Sequence, residues 1–209
     1  MTATPLDDAV AAARRGALIV FPTDTVYGVG TRPDDPAATA AVFAAKDRPA
    51  DLTLPVLVAS AGEARRIAAF DARADVLADG CWPGPLTLVL PRTDAAAGFD
   101  LGGDPATIGV RVPDHPLALA VLARTGPLAV TSANRSGEPP ATTCDQLVAT
   151  FEDAVAVYLC EEPALEGRSS TVLDLAHGPA RVLRAGDVSA DRLARLLPGE
   201  GPLLDSPPS

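Results

Sequence analysis

Lysine is almost absent from this chain of 209 residues: of 17 basic residues one alone, Lys46, is lysine. With 27 acidic residues the formal net charge is −10. Tight non-specific binding to a polyanion draws on lysine and arginine contacts to phosphates, and no basic run supplies them, which leaves only a local basic cleft. Coding bias accounts for arginine and the many alanines. It does not account for the one lysine. Cysteine is scarce too. Cys81, Cys144 and Cys160 are odd in number and widely spaced, which fits neither a disulfide framework nor a zinc knuckle, so they read as reduced thiols. His115 and His177 lie far apart and by themselves suggest no metal centre. No apolar run approaches the roughly 20 residues that span a bilayer. The start, "MTATPLDDAVAAARRG", has no basic opening followed by an apolar stretch, so no signal peptide is visible. A cytoplasmic protein without a membrane partner is expected. Neither "GxxxxGK[ST]" nor "GxGxxG" occurs, which removes two common nucleotide fingerprints, and without "GxSxG" a hydrolase elbow is missing.

What remains is ordinary for a globular domain: 47% hydrophobic and 21% charged residues, enough for a sizeable core. "PLDDAVAAARR" (5–15) reads as a helix with acids at its start and arginines at its end. "ALIVFP" reads as a buried strand, and residues 36–46 as an alanine-rich helix between prolines. Strand "LPVLVA" (54–59) precedes a helix with Ser60 as N-cap and Glu63 three residues on. A short helix is expected over 72–80, strands in "CWPGPLTLVLP" and "ATIGVRVP", and a helix begun by Asp114. Strand "GPLAVTSAN" and helix "CDQLVATF" follow, then strands "AVAVYLC", "STVLDL" and "ARVLRAG", and a closing helix "VSADRLARLL". This order predicts an α/β fold, a mixed twisted sheet with flanking helices. Residues 1–197 form one domain in this reading, and 198–209 a Pro/Gly/Ser-rich, flexible tail.

Polar clusters follow strands or helix ends: "PTDTVYG" (22–28), "KDRP" (46–49), "TIGVR" (107–111) and "TSANRSG" (131–137), with "RSSTVLD" (168–174) before a strand and Arg184 after one. Lys46 and Arg48 can flank one anion, fork and point charge together, or simply favour the dipole of the helix they end. "TSANRSG" suits an anion-binding nest and is also ordinary turn composition. Arg111, in an apolar strand, needs a partner: a ligand carboxylate or an acidic side chain. The residues alone thus describe loops suited to a phosphate and a carboxylate, and no particular reaction.

In this order, "FPTDTVYGVG", "KDRP", "WPGPLTLVL", "IGVRVPDHP", "TSANRSG", "SSTVLDL" and "RVLRAG" resemble the signature blocks of the YrdC/Sua5 family, the threonylcarbamoyl-AMP synthases, over residues 8–186. The resemblance implies a YrdC-like twisted mixed sheet around a concave, positively charged cavity. It also implies synthesis of threonylcarbamoyl-AMP and pyrophosphate from L-threonine, bicarbonate or CO2 and ATP with Mg2+. Downstream proteins would pass the threonylcarbamoyl group to adenosine 37 of tRNA, which this chain itself would touch weakly if at all. By motif, Lys46 and Arg48 would be catalytic, Arg48 on the ATP phosphates. Thr25, Arg111, Ser132 and Ser170 would hold threonine, with Tyr27 packed beside them. Thr107, Asn134, Thr142 and Arg184 would contact ATP. Two positions depart from the pattern: Leu52 and Leu57 stand where relatives carry Asn and His. The resemblance is to a short form without the C-terminal domain of longer relatives. A carbamoyl-phosphate-using unit of hydrogenase maturation and a non-catalytic RNA-binding module are the competing readings. The first lacks its zinc-finger partners here, and the net charge opposes the second.

Overall fold

The computed structural model describes residues 4–49, 51–161, 168–199 and 203–205. Helix α1 (Pro5–Arg14) starts on Thr4, whose hydroxyl accepts from the Asp7 amide while the Asp7 carboxylate accepts from the Thr4 amide. Strand β1 (Leu18–Phe21) is buried on both faces: Leu18 and Val20 enter one hydrophobic cluster, Ile19 and Phe21 the other. Its antiparallel neighbour β2 (Gly28–Thr31) was not expected from the sequence. Helix α2 (Pro36–Lys46) begins on Asp35, which accepts from two amides. Strand β3 shrinks from the expected six residues to Val56–Leu57, because Pro55 has no N–H to give the ladder.

Helix α3 (Ala61–Ile67) has Ser60 as N-cap, although the Glu63 carboxylate reaches back to the Ala59 amide rather than that of Ser60. Then come α4 (Ala72–Cys81), β4 (Leu86–Pro91), β5 (Thr107–Arg111) and α5 (Pro116–Thr125). His115, not Asp114, occupies the N-cap of α5, and Pro116 is its first helical residue. The remaining elements are β6 (Leu128–Ser132), α6 (Cys144–Phe151), β7 (Val155–Tyr158), β8 (Thr171–Asp174), β9 (Arg181–Arg184), α7 (Ala190–Leu196) and β10 (Leu204–Asp205). The last lies in the Pro/Gly/Ser-rich tail and pairs in parallel with β9; residues 200–202 and 206–209 of that tail lie outside the described residues.

The strands form one mixed sheet in the order β10-β9-β8-β4-β5-β3-β6-β2-β1-β7. Pairs β1–β7, β3–β5, β4–β8 and β9–β10 are parallel and the others antiparallel. Helices α1 and α5 cover the face that carries Ile19 and Phe21. The larger core, with Val20, Leu54, Leu77, Leu88 and Ile108, fills the other. The reduced-thiol reading fails for two cysteines. Cys144 and Cys160 form a disulfide, Cα atoms 5.6 Å apart, because α6 and β7 fold back on each other and close the gap that looked wide in sequence. Cys81 is free and buried.

Candidate active site

Strand ends from the middle of the sheet surround a cavity of about 480 Å³. At one end the segment between β1 and β2 folds on its own hydroxyls. Thr23 Oγ1 donates to the Val26 carbonyl at 2.6 Å and lies 2.9 Å from Thr25 Oγ1. Arg111, at the end of β5, reaches across with its whole fork engaged. Nη1 donates to Thr25 Oγ1 at 2.9 Å, Nη2 to Asp24 Oδ1 at 2.5 Å and Nε to the Gly84 carbonyl at 3.0 Å. Burial pulls its pKa down and Asp24 opposes that pull. Of the two partners the sequence left open for Arg111, an acidic side chain is present. The other Asp24 oxygen, Oδ2, is buried without a hydrogen-bond partner.

Ser170, just before β8, lies 3.0 Å from Thr87 of β4, oxygen to oxygen. It accepts from Arg184 Nη2 at both its hydroxyl and its carbonyl, each at 2.9 Å. Arg48 faces the same cavity from beyond α2. Its guanidinium donates to the carbonyls of Leu52 (3.4 Å) and Thr53 (3.1 Å), and among the described residues it makes no ion pair with a carboxylate. Desolvation lowers its pKa, Arg184 adds to that and Asp51 opposes it, so a multiply charged anion beside Arg48 would favour its charged form.

The "KDRP" pair therefore splits. Asp47 adopts a left-handed conformation, φ 51°, which short polar side chains tolerate, and so Lys46 and Arg48 leave the helix end in different directions. Lys46 is fully buried and off the cavity wall. Its Nζ donates to the Ser132 carbonyl at 2.6 Å, to the Asn134 carbonyl and, weakly, to Asn134 Oδ1 at 3.4 Å. Desolvation first and Arg48 second lower its pKa from 10.5 to about 8. Lys46 thus braces the "TSAN" turn from behind. Asn134 and Thr142 also lie off the wall: Asn134 Nδ2 donates to the carbonyls of Arg135 and Glu138, and the Thr142 hydroxyl to Gln146. Thr25, Arg48, Thr107, Arg111, Ser132, Ser170 and Arg184 share the one cavity.

The family model described as "Telomere recombination" (Sua5, YciO and YrdC proteins) matches residues 11–186. The chain belongs to this Sua5/YciO/YrdC family. A Chromohalobacter salexigens protein named threonylcarbamoyl-AMP synthase is 40% identical over 181 residues, 85% of this chain and 96% of that one. The crystal structure of Pyrococcus abyssi Sua5 complexed with L-threonine superposes with a TM-score of 0.85 at 32% identity. It covers 99% of this chain, which spans 61% of that one. Full-length HypF in a phosphate- and nucleotide-bound form has a TM-score of 0.71 at 16% identity, a likeness of fold alone.

Within this Sua5/YrdC frame both departures reach the cavity wall, Leu52 half-exposed and Leu57 buried. Sequence reasoning missed Thr87, Asp104 and His177 and gave no role to Thr23 and Asp174 inside the clusters it marked; all five also line the cavity. His177 Nδ1 lies 2.9 Å from Asp174 Oδ2 and its Nε2 3.6 Å from Asp104. Hydrogen bonding to Asp174 raises its pKa. The "DLAH" spacing in "VLDLAH" was a usable signal; the approach of Asp104 was not. No cluster of three His, Cys, Asp or Glu side chains among the described residues could hold a metal ion. Nor is any described helix long and apolar enough to cross a membrane.

Proposed function

We propose that this cavity adenylates a carbamate. It takes L-threonine, bicarbonate or CO2 and the magnesium complex of ATP, and releases threonylcarbamoyl-AMP and pyrophosphate, as a nucleotidyltransferase serving modification of tRNA position 37. The observation that carries this reading is one cavity lined by three arginines and a set of hydroxyls. Thr23, Thr25 and Ser132 suit the polar groups of an amino acid, and Arg48 and Arg184, neither paired with a carboxylate among the described residues, suit a triphosphate.

In this scheme the threonine amine, deprotonated, adds to CO2. One carbamate oxygen attacks the α-phosphorus of ATP, the bond to the bridging oxygen breaks, and pyrophosphate leaves. Carbamates are labile in water, so holding both reactants in one pocket supplies orientation and protection. Arg48 and Arg184 stabilise charge growing on the phosphates, without a covalent intermediate. Ser132, whose carbonyl Lys46 holds, contacts threonine in this scheme. The product then passes to the proteins that transfer the threonylcarbamoyl group.

The test is pyrophosphate release from MgATP with threonine and bicarbonate omitted in turn. Release that needs both is expected. Release without bicarbonate, or none with all three present, overturns the reading.

A further inference from the structure

The disulfide is a covalent feature that this chemistry leaves unused, and it joins the start of α6 to the segment after β7. Cys144 is the first residue of α6, directly after Thr142 and Thr143. Cys160 follows β7 and precedes Glu161, whose amide and carbonyl both meet the buried Tyr27 hydroxyl at 3.1 Å. Tyr27 lines the cavity, so the Cys160 side is anchored to its wall. The Cys144 side is held in the core by Leu147 and Phe151 of α6, while the turn that leads into the helix rests on local bonds. Gln146 Oε1 accepts from the Thr142 and Thr143 amides, and Thr143 Oγ1 accepts from the Gln146 amide, all exposed. Both half-cystines are half-buried, Cys160 packing against the larger core, whereas Cys81 is buried. The fold does not depend on the bond, because Leu147, Phe151 and Val155 fix α6 and β7 in the core on their own.

We propose that Cys144 and Cys160 are a reversible redox site, opened by a dithiol reductant of the thioredoxin class and closed by a disulfide oxidant, that controls how firmly the segment carrying Thr142 is held. An external thiolate attacks Cys160 Sγ and Cys144 leaves as thiolate, the better leaving group because the N-terminus of α6 stabilises its charge. The second thiol of the reductant attacks the mixed disulfide, freeing Cys160. Two electrons and two protons pass to the protein, and the dithiol becomes a disulfide; closure is the reverse. The consequence for ATP rests on the proposed function together with the ATP contact that the family resemblance gives Thr142, whose side chain lies off the cavity wall here. The redox site does not.

The experiment compares whole protein equilibrated in reducing and oxidising glutathione buffers. Denatured samples should titrate as three free thiols when reduced and one, Cys81, when oxidised. Amides of residues 142–146 should exchange hydrogen about fivefold or more faster when reduced, with β4 and β5 unchanged. The KM for ATP should rise about three- to tenfold on reduction while that for threonine stays within about twofold. Cys144→Ser should behave as reduced protein in both buffers, and Cys81→Ser should respond as wild type. A bond that does not open and close in these buffers, or exchange indifferent to it, overturns the proposal. If exchange responds but neither state releases pyrophosphate with threonine and bicarbonate, the redox site stands and the synthase reading falls.

Discussion

Lys46, Arg48 and Arg111 show at the scale of single residues how burial separates support from chemistry. Arg48 donates only to two carbonyls, so its charge is available to the cavity and its removal orphans no buried carboxylate. Arg48→Ala should lower kcat at least about 100-fold while shifting unfolding free energy by less than about 1 kcal/mol. Arg111 is the opposite case. Arg111→Ala would strand the Asp24 carboxylate, one oxygen of which already lacks a partner, and should destabilise by about 3–5 kcal/mol in denaturant titration.

Lys46 titrates unlike either. In the folded chain it loses its proton near pH 8, in the unfolded chain near 10.5. Between those values the unfolded state binds more protons, so stability rises with pH across that window and falls as pH drops through about 8. Wild type should therefore gain up to about 3 kcal/mol over Lys46→Met between about pH 7 and pH 10.5, read as the difference of their unfolding free energies.

At the scale of elements, legibility tracked how local the signal was. Helices α1 and α2 could be read because each carries a proline in its first turn and ends on a basic residue. Strand β2 could not, because Gly28 and Gly30 dilute the pattern of β-branched residues that marks a strand. The glycines have a packing reason. A Cβ on Gly30 would stand 2.5 Å from the Ala129 carbonyl oxygen and 2.7 Å from Val130, and one on Gly28 would stand 2.6 Å from Val130. At Gly28 and Gly30 there is thus no room for a side chain against β6, and Gly28, where the hydroxyl segment enters β2, pairs with Ser132 of the cavity wall. The disulfide and the Asp104–His177 approach stayed hidden for the complementary reason: both depend on where distant loops land. Motif blocks did locate the cavity, but they could not tell Lys46 and Asn134, which build its wall from behind, from Arg48, which faces it.

At the scale of the whole molecule, charge is distributed with a consequence for nucleic acid. The cavity lining sets Arg48, Arg111 and Arg184 against Asp51, Asp104 and Asp174, with His177 beside them, and Arg111 is already paired with Asp24. Outside the cavity several arginines are paired with carboxylates: Arg32 with Asp34, Arg65 with Asp75, Arg124 with Asp7 and Arg135 with Asp47. A tRNA approaching this chain meets a net charge of −10 and a sequence without a basic run of the kind that releases counterions. The synthase reading therefore separates making the activated threonylcarbamoyl group from delivering it to tRNA. Fluorescence titration with tRNA should give a Kd weaker than about 10⁻⁴ M at physiological salt, with a shallow dependence on salt. A Kd near 10⁻⁶ M that weakens steeply as salt rises would mean that several arginines leave their carboxylates for phosphates, and the separation of synthesis from delivery would be wrong.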